Sequence, residues 1–174
     1  MPSQTLILDE KAMARAIARI SHEIIEYNKG VENLCLVGIY SRGAEVARRI
    51  AGKISEVEGR LVECGGLDIT RFRDDRPGDS DRSDLPFSIE GKKVVLVDDV
   101  IFTGRSVRAA MEALMSRGRP QRIELAVLVD RGHRELPMRA DFVGKNLPTS
   151  RGEKVRVSIR PWDPADQVVI LKEE

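Results

Sequence analysis

The sequence predicts an α/β fold in which a mostly parallel central sheet is flanked by helices. Short apolar runs, typical of buried strands, alternate with amphipathic helical segments between residues 10 and 130. The 174 residues contain 41% hydrophobic and 33% charged side chains, which is too apolar for a disordered chain and sufficient to bury one core. We therefore treat residues 1–174 as a single domain. Open parallel sheets bind ligands at the carboxyl ends of their strands, so we expect a site at that edge.

The helices and strands are predicted from periodicity and from stop signals. Asp9 is a suitable N-cap for a first helix that runs to about Asn28 and stops at Gly30, because apolar residues recur every three or four positions between them. The later predicted elements are, in order, a strand over 34–39, a helix ending near Gly59, a strand over 61–69, a strand over 93–97, a helix over 104–117, a strand over 123–129, and strands near 155–159 and 168–171. Residues after 130 are irregular and then β-rich, which predicts a small C-terminal flap, or hood, at about 131–174.

Residues 70–86 form one long loop with almost no apolar side chains. The loop contains a Pro-Gly pair and mixes five aspartates with four arginines. Loops of this length inside a compact domain are usually functional or disordered. The composition leaves both interpretations open, with disorder favoured for the tip at 75–84.

The strongest chemical signal lies between residues 94 and 106. Two adjacent carboxylates, Asp98 and Asp99, follow an apolar strand, and a helix begins after Thr103 and Gly104. A helix N-terminus with a glycine and nearby hydroxyl groups suits a phosphate, because its N–H groups are free and its dipole end is positive. The two acids are placed to accept hydrogen bonds from sugar hydroxyls and to help hold hydrated Mg²⁺. The alternative is an ordinary strand–turn–helix in which Thr103 only caps the helix.

Residues 38–43 show a weaker version of the same pattern, in which a strand end is followed by Ser41, Arg42 and a helix start. An arginine here suits pyrophosphate, which can accept several hydrogen bonds from one guanidinium group. A plain strand–helix connection explains the same residues. Two common nucleotide folds are excluded, since the chain has neither Gly-x-Gly-x-x-Gly after a strand nor Gly-x-x-x-x-Gly-Lys.

The charge is nearly neutral in total but uneven along the chain. The net charge is +1, whereas residues 117–160 contain eleven basic and five acidic side chains. This local excess marks either an anion-binding face or an ordinary solvated surface, and charge alone favours neither. Arg15, Arg19 and His22 share one face of the first helix. Aromatic residues make up only 4% of the chain, which argues against a stacking platform for single-stranded nucleic acid.

Residues 94–106 resemble the phosphoribosyl pyrophosphate (PRPP) binding motif of the type I phosphoribosyltransferases. The resemblance extends over nearly the whole chain to one branch, the PyrR family of pyrimidine-operon attenuators, above all at Gly118-Arg119-Pro120 and over residues 125–137 and 139–150. It implies the type I phosphoribosyltransferase fold and two activities. One is a Mg²⁺-dependent uracil phosphoribosyltransferase reaction, in which uracil and PRPP give UMP and pyrophosphate. The other is binding of an mRNA leader stem–loop, promoted by UMP or UTP, which attenuates transcription of pyrimidine genes.

The resemblance also implies roles for individual residues. The expected catalytic residues are Asp98, Asp99 and Arg73, the last within residues 70–86, which match the family's catalytic loop. The expected substrate contacts are Ser41, Arg42, Asp98, Asp99, Val100, Ile101, the phosphate loop (residues 102–106: Phe102, Thr103, Gly104, Arg105 and Ser106), Arg131 and the backbone around Val155. The expected RNA contacts are Arg15, Arg19, His22, Arg134, Arg139 and Lys145. The resemblance implies that PRPP brings the Mg²⁺ and holds it near Asp98 and Asp99, with no direct cage of side chains around the ion. The Ser41–Arg42 peptide bond is often cis in the family, and the sequence does not determine whether it is cis here.

Other features concern location and assembly. No stretch approaches the ~18 apolar residues of a membrane span, and the N-terminal residues lack the pattern of a secretory signal, so we expect a cytoplasmic protein with no membrane partner. Cys35 and Cys64 are too few for a disulfide framework or a zinc site. The resemblance implies a homodimer or homotetramer.

Two alternative functions stay open. One is a dedicated phosphoribosyltransferase for uracil or another base with no RNA role, and the other is a regulator whose catalysis has decayed.

Overall fold

The computed structural model describes residues 3–75 and 78–172. The elements follow in chain order as β1 (Ser3–Leu8), α1 (Glu10–Asn28), β2 (Leu34–Ile39), α2 (Arg42–Glu58), β3 (Glu63–Leu67), a single 3-10 turn (Thr70–Phe72), β4 (Lys93–Ile101), α3 (Arg105–Met115), β5 (Arg122–Asp130), β6 (Phe142–Asn146), β7 (Lys154–Ser158) and β8 (Gln167–Lys172). None of the helices in these two ranges is long and apolar enough to cross a membrane.

The central sheet has five parallel strands in the order β3-β2-β4-β5-β6. Alternate residues of each strand point to opposite faces, and both faces are covered by helices. Val95 and Val97 of β4 belong to the core beneath α1 and α2, whereas Val94 and Leu96 belong to the core beneath α3. The predicted fold class is confirmed.

A second, smaller sheet contains three antiparallel strands in the order β1-β8-β7, and we call it the hood sheet. Its buried residues Val157, Val168 and Ile170 pack into the same core as α1 and α2. The hood sheet therefore joins the two ends of the chain and sits on the helical layer that covers one face of the central sheet.

The helix ends agree closely with the local signals. The Asp9 carboxylate accepts a hydrogen bond from the backbone N–H of Ala12 at 2.8 Å, as an N-cap should. The first helix ends at Asn28, where Lys29 takes the left-handed conformation one residue before the predicted stop. Gly59 ends α2 in the same conformation. These boundaries were predictable because they depend on neighbouring residues alone.

Three predicted boundaries are wrong. The strand predicted over 93–97 continues to Ile101, because β5 pairs with it as far as Asp130. The strand predicted over 61–69 is limited to Glu63–Leu67, the stretch that pairs with β2. The third helix ends at Met115 rather than near residue 117. In the two strands the length is determined by the partner strand.

The predicted C-terminal flap begins too early at 131. The strand Phe142–Asn146 is the edge strand of the central sheet, paired in parallel with β5, and does not belong to the hood sheet. The hood sheet instead takes in the N-terminal strand Ser3–Leu8, which was not predicted as a strand. Neither strand carries a strong apolar pattern, since most residues of β1 are exposed and β6 has only two buried positions.

Candidate active site

The carboxyl ends of β2, β4 and β5 meet at one edge of the central sheet. Most of the residues expected to bind substrate lie there, whereas Val155 lies on β7 of the hood sheet. Strand β4 leads through the acid pair into the phosphate loop, and β5 ends beside Arg131. The backbone N–H of Arg131 donates to the Ile101 carbonyl at 3.2 Å, which joins the two strand ends directly. The Ile101 side chain itself is buried beneath α3, so only its backbone is available to a ligand.

The two carboxylates of the acid pair have different environments. Asp98 is only 8% exposed, and its Oδ1 accepts a hydrogen bond from the N–H of Asp99 at 2.9 Å. Burial, and then the neighbouring charge of Asp99, raises the pKa of the Asp98 carboxyl well above its usual range. Asp99 is half-buried and lines a cavity. Gly43 packs against this pair so closely that a Cβ atom added to it would lie 3.0 Å from Asp98 Oδ1.

The phosphate loop connects β4 to α3 with an exposed helix start. Gly104 has a φ of 94°, a conformation that favours glycine, and as the N-cap residue it has no side chain to cap the helix. The Thr103 hydroxyl accepts a hydrogen bond from the backbone N–H of Arg105 at 3.3 Å. A cavity of about 210 Å³ lies at this point. Its lining residues are Arg73, Asp74, Asp75, Thr103, Arg105 and Ser106. The loop and the helix N-terminus thus present hydroxyl groups, an arginine and the positive end of the helix dipole to one space.

The arginines of this cavity are paired with acids. Arg105 donates to Asp74 of the catalytic loop at 2.8 Å and to Glu135 at 3.1 Å. Arg73 donates to Asp75 at 2.8 and 2.9 Å. The catalytic loop is therefore attached to the phosphate loop through the Arg105–Asp74 ion pair.

A second cavity, of about 680 Å³, opens between the acid pair and the hood sheet. It is lined by Arg42, Asp99, the strand residues 154–158, Asp163, Pro164 and Leu171. The Arg42 guanidinium donates two hydrogen bonds to the Asp163 carboxylate, at 2.8 and 2.9 Å, and these raise its pKa. Ser41 is half-buried. The cis peptide bonds of the described residues are Tyr40–Ser41, one residue before the Ser41–Arg42 bond, and Arg160–Pro161.

Arg131 is buried beside the phosphate loop. Its guanidinium lies 3.9 Å from the ring centroid of Phe102, and Nη2 donates to the Ser150 carbonyl at 3.1 Å. Burial lowers the pKa of Arg131. Its Nε is buried and has no hydrogen-bond partner within the described part of the chain. This is a stacked cation with spare donor capacity. Val155, the other residue expected to bind the base, lies on the wall of the second cavity, and Arg131 is not among the residues that line that cavity.

The residues expected to bind RNA divide into two groups. Arg15, His22, Arg139 and Lys145 are exposed. Arg19 reaches from α1 to β6, where its Nη2 donates to the carbonyls of Val143, at 3.1 Å, and Gly144. Because Lys145 follows Gly144, α1 and β6 form one basic face. Arg134 differs, since its guanidinium points into the protein.

Sequence reasoning missed the acids that pair with the site arginines, namely Asp74, Asp75, Glu135 and Asp163. Arg42 and Asp163 are separated by 121 residues, so no local spacing could connect them. The only signal at Asp163 is its position between Pro161 and Pro164, which marks a tight turn.

Comparisons with known proteins agree with this geometry. The chain matches the family model for the phosphoribosyl transferase domain over residues 3–159. It is 54% identical to "Bifunctional protein PyrR" of Geobacter sp. (strain M21), an alignment that covers 99% of this chain and 100% of that protein. The protein of the same name from Bacillus cereus (strain AH820) is also 54% identical and is covered over 98% of both chains.

Solved structures with the same fold include two hypoxanthine phosphoribosyltransferases. The Staphylococcus aureus enzyme has a TM-score of 0.74 and 21% identity, over 94% of this chain and 90% of that one. The Trypanosoma cruzi enzyme has a TM-score of 0.75 and 19% identity, over 98% and 97%. At this identity the matches show a shared fold.

Proposed function

Because the chain belongs to the phosphoribosyl transferase family and, within it, to the bifunctional PyrR proteins, we propose that it regulates pyrimidine operon transcription by binding RNA and also makes UMP. Uridine nucleotides promote its binding to a stem–loop in the mRNA leader. The enzyme reaction joins uracil to PRPP and releases pyrophosphate. The observation that carries the proposal is full-length identity of 54% to PyrR proteins in a chain that keeps the acid pair and the phosphate loop.

The reaction requires positioning and electrostatic stabilisation more than a strong nucleophile. Asp99 and Asp98 hold the ribose hydroxyls, and Asp99, which lines the second cavity, stabilises positive charge that develops on the ribosyl ring. The phosphate loop and the start of α3 bind the 5′-phosphate through N–H and hydroxyl groups. Ser41 and Arg42 bind the pyrophosphate, for which Arg42 must leave or share its pairing with Asp163.

The uracil base is recognised by Arg131 and by nearby backbone groups. The guanidinium is fixed by its stack on Phe102 and by the Ser150 carbonyl. Its Nε has no partner in the described part of the chain but is buried, so the chain around Arg131 must open before this donor can meet a carbonyl oxygen of uracil. Backbone groups near Val155 supply further hydrogen bonds to the ring edge. A planar base with two carbonyl oxygens suits a site built from one arginine and backbone groups.

Mg²⁺ fits this site as a companion of the substrate. The described residues contain no cluster of three or more side chains that could cage a metal ion. Mg²⁺ commonly binds one or two carboxylates together with substrate phosphates and water, and Asp99 offers such a carboxylate beside the Arg42 cavity. We propose that Asp99 would hold the ion with PRPP oxygens, where it would neutralise charge on the departing pyrophosphate.

The proposed RNA interface is the basic face formed by α1 and β6, with Arg15, Arg19, His22 and Lys145 on it, together with the exposed Arg139 just before β6. Phosphate contacts from such a face make affinity fall steeply with salt, whereas specificity comes from loop bases and RNA shape. We further propose that the protein acts in the cytoplasm, where the leader RNA is transcribed, as a homodimer or homotetramer. Sedimentation of the purified chain tests the assembly.

The enzyme assignment is tested by a double variant of the acid pair. Asp98→Asn with Asp99→Asn should abolish UMP formation from uracil and PRPP, because both ribose-binding carboxylates are lost. The assay follows product UMP, and thermal unfolding checks that the variant is folded. Wild-type turnover in the folded double variant would contradict the assignment.

The regulator assignment is tested by gel-shift titration of the leader RNA from the organism's own pyrimidine genes. Binding should tighten when UMP is added and weaken between two increasing salt concentrations. A failure to bind in every condition would favour a dedicated phosphoribosyltransferase. A panel of uracil and purine bases then identifies its substrate.

A further inference from the structure

Residues 131–138, which we call the bracing segment, wrap closely around the phosphate loop. The N–H groups of Glu135 and Leu136 both donate to the Thr103 carbonyl, at 2.9 and 3.1 Å. A Cβ atom added to Gly104 would lie 3.0 Å from the Met138 side chain, so the two segments are in direct contact. The position of the phosphate loop therefore determines the position of the bracing segment.

Arg134 lies at the centre of this contact. Its Nε donates to the Met138 carbonyl at 2.8 Å, its Nη1 to the Phe102 carbonyl at 3.0 Å, and its Nη2 to Asp130 Oδ2 at 2.6 Å. The side chain is only 22% exposed. One planar guanidinium thus ties together the phosphate loop, the end of β5 and the end of the bracing segment.

The bracing segment leads directly into the proposed RNA interface. Arg139 follows Met138, and β6 with Lys145 begins three residues later. Two hydrogen bonds hold the start of β6 to β5, since the Asp141 N–H donates to the Leu125 carbonyl and the Leu125 N–H donates to Asp141 Oδ2, both at 2.8 Å. A shift of the bracing segment is therefore a shift of Arg139, whereas Lys145 stays with the central sheet.

We propose that Arg134 is a positioning residue that couples nucleotide binding at the phosphate loop to the RNA interface, and that it is not itself an RNA contact. This inference rests on the proposed function and assigns a residue to its regulation. A nucleotide held by the phosphate loop and by Arg131 fixes Phe102. Arg134 then fixes the Met138 carbonyl and the chain that continues into Arg139.

The geometry favours this role over a phosphate contact. Each nitrogen of the Arg134 guanidinium already has an acceptor inside the protein, so a direct RNA contact would break bonds that hold the fold locally. The exposed Arg139 has no hydrogen bond or ion pair in the described part of the chain, which suits a residue that binds a phosphate. The two residues therefore make a matched pair for a test.

The experiment measures the dissociation constant of leader RNA, with and without UMP, at several salt concentrations. Arg134→Lys and Arg134→Gln should both lose most of the tightening caused by UMP, because neither side chain can make the three fixed hydrogen bonds. Affinity without UMP should stay within about twofold, with an unchanged salt slope. Arg139→Gln should weaken binding equally with and without UMP and reduce the salt slope by about one.

Coupling has a second readout, because it is reciprocal. RNA should tighten UMP binding to the wild-type protein by the same factor, within the ~5- to 150-fold range of allosteric couplings, and this factor should also fall in both Arg134 variants. Full rescue by Arg134→Lys, with a reduced salt slope in Arg134→Gln, would overturn the inference in favour of a direct phosphate contact.

Asp130→Asn provides an independent variant. Removing a negative charge near a polyanion should strengthen RNA binding if charge alone matters. We expect instead a loss of the UMP effect, since Asp130 is the anionic partner of Arg134. Tighter RNA binding with a full UMP effect would contradict the inference. A wild-type protein that binds RNA without any response to UMP would contradict the proposed regulation itself, so the two failures are distinguishable.

Discussion

At the scale of single residues, the site is defined by how its cations are paired. Arg42, Arg73 and Arg105 each bind a carboxylate, so an anionic substrate must replace or share that partner. Arg131 is different, because its partners are an aromatic ring and a carbonyl group. A buried arginine without a carboxylate partner keeps its donors for a neutral, polar ligand such as a pyrimidine base.

Replacing Arg131 with lysine tests this assignment. The variant keeps the charge but loses the planar stack on Phe102 and the fixed direction of the Nε donor. We expect kcat/KM for uracil to fall by about tenfold or more, which corresponds to at least ~1.4 kcal/mol, and the KM for PRPP to change by less than about twofold. Steady-state rates at varied uracil and saturating PRPP measure the effect. An unchanged KM and kcat for uracil would remove Arg131 from base recognition.

At the scale of elements, the catalytic loop is held at both ends by one buried acid. Asp68 accepts hydrogen bonds from the backbone and side chain of Thr70 and from the backbone N–H of Arg82, at 2.9 Å. Its own N–H donates to Ser83 at 2.8 Å. Burial alone would raise the pKa of Asp68, but these hydrogen bonds and the charge of Arg82 lower it to about 2.

This pKa has a defined consequence for stability. The pKa is about 2 in the folded protein and about 3.9 in an unfolded chain, so ionised Asp68 contributes about 2–3 kcal/mol above pH 4 and loses it as the pH falls through 2. Asp68→Asn should therefore lower the free energy of unfolding by about 2 kcal/mol at pH 7. The difference between the wild type and the variant should shrink to about half of this value at pH 3. Urea unfolding at the two pH values measures both quantities. An advantage that does not change with pH would show that the charge of Asp68 is unimportant.

At the scale of the whole molecule, ion pairs from α2 attach the chain that precedes β8 to the central layers. Arg49 donates to Asp166 at 2.7 and 3.1 Å and to the Arg160 carbonyl at 3.0 Å. Asp166 is only 9% exposed at its side chain. Arg42 of α2 and Asp163, which also precedes β8, make a second such connection within the candidate site. Both residues line the second cavity, so the wall of that cavity depends on the same contact between α2 and the chain before β8.

Removing the Asp166 carboxylate should destabilise the whole fold. Asp166→Ala removes a carboxylate partner of Arg49, whose own side chain is largely buried. We therefore expect the free energy of unfolding to fall by about 2–3 kcal/mol. Glu56→Ala is the matched control, since its pair with Lys53 spans 3.9 Å and its side chain is 74% exposed. The control should change stability by less than about 0.5 kcal/mol in the same urea titration. Equal effects of the two variants would contradict a stabilising role for the buried pair.

The sequence by itself determined the local parts of this protein. The N-cap at Asp9, the stop at Gly59 and the buried strand Leu34–Ile39 follow from neighbouring residues, because capping and hydrophobic periodicity act within a few positions. The acid pair and the phosphate loop were also evident, because a strand, a turn and a helix start lie in one continuous segment.

The tertiary structure alone decided what depends on distant partners. Strand β6 joins the central sheet through β5, and β1 joins the hood sheet through β8, although neither has a strong apolar pattern. The resemblance implied that Arg134 is an RNA contact, and only the folded chain shows its three acceptors inside the protein. The physical reason is that strand pairing and hydrogen-bond partners are set by contacts between segments far apart in the chain, and periodicity carries no information about which segments meet.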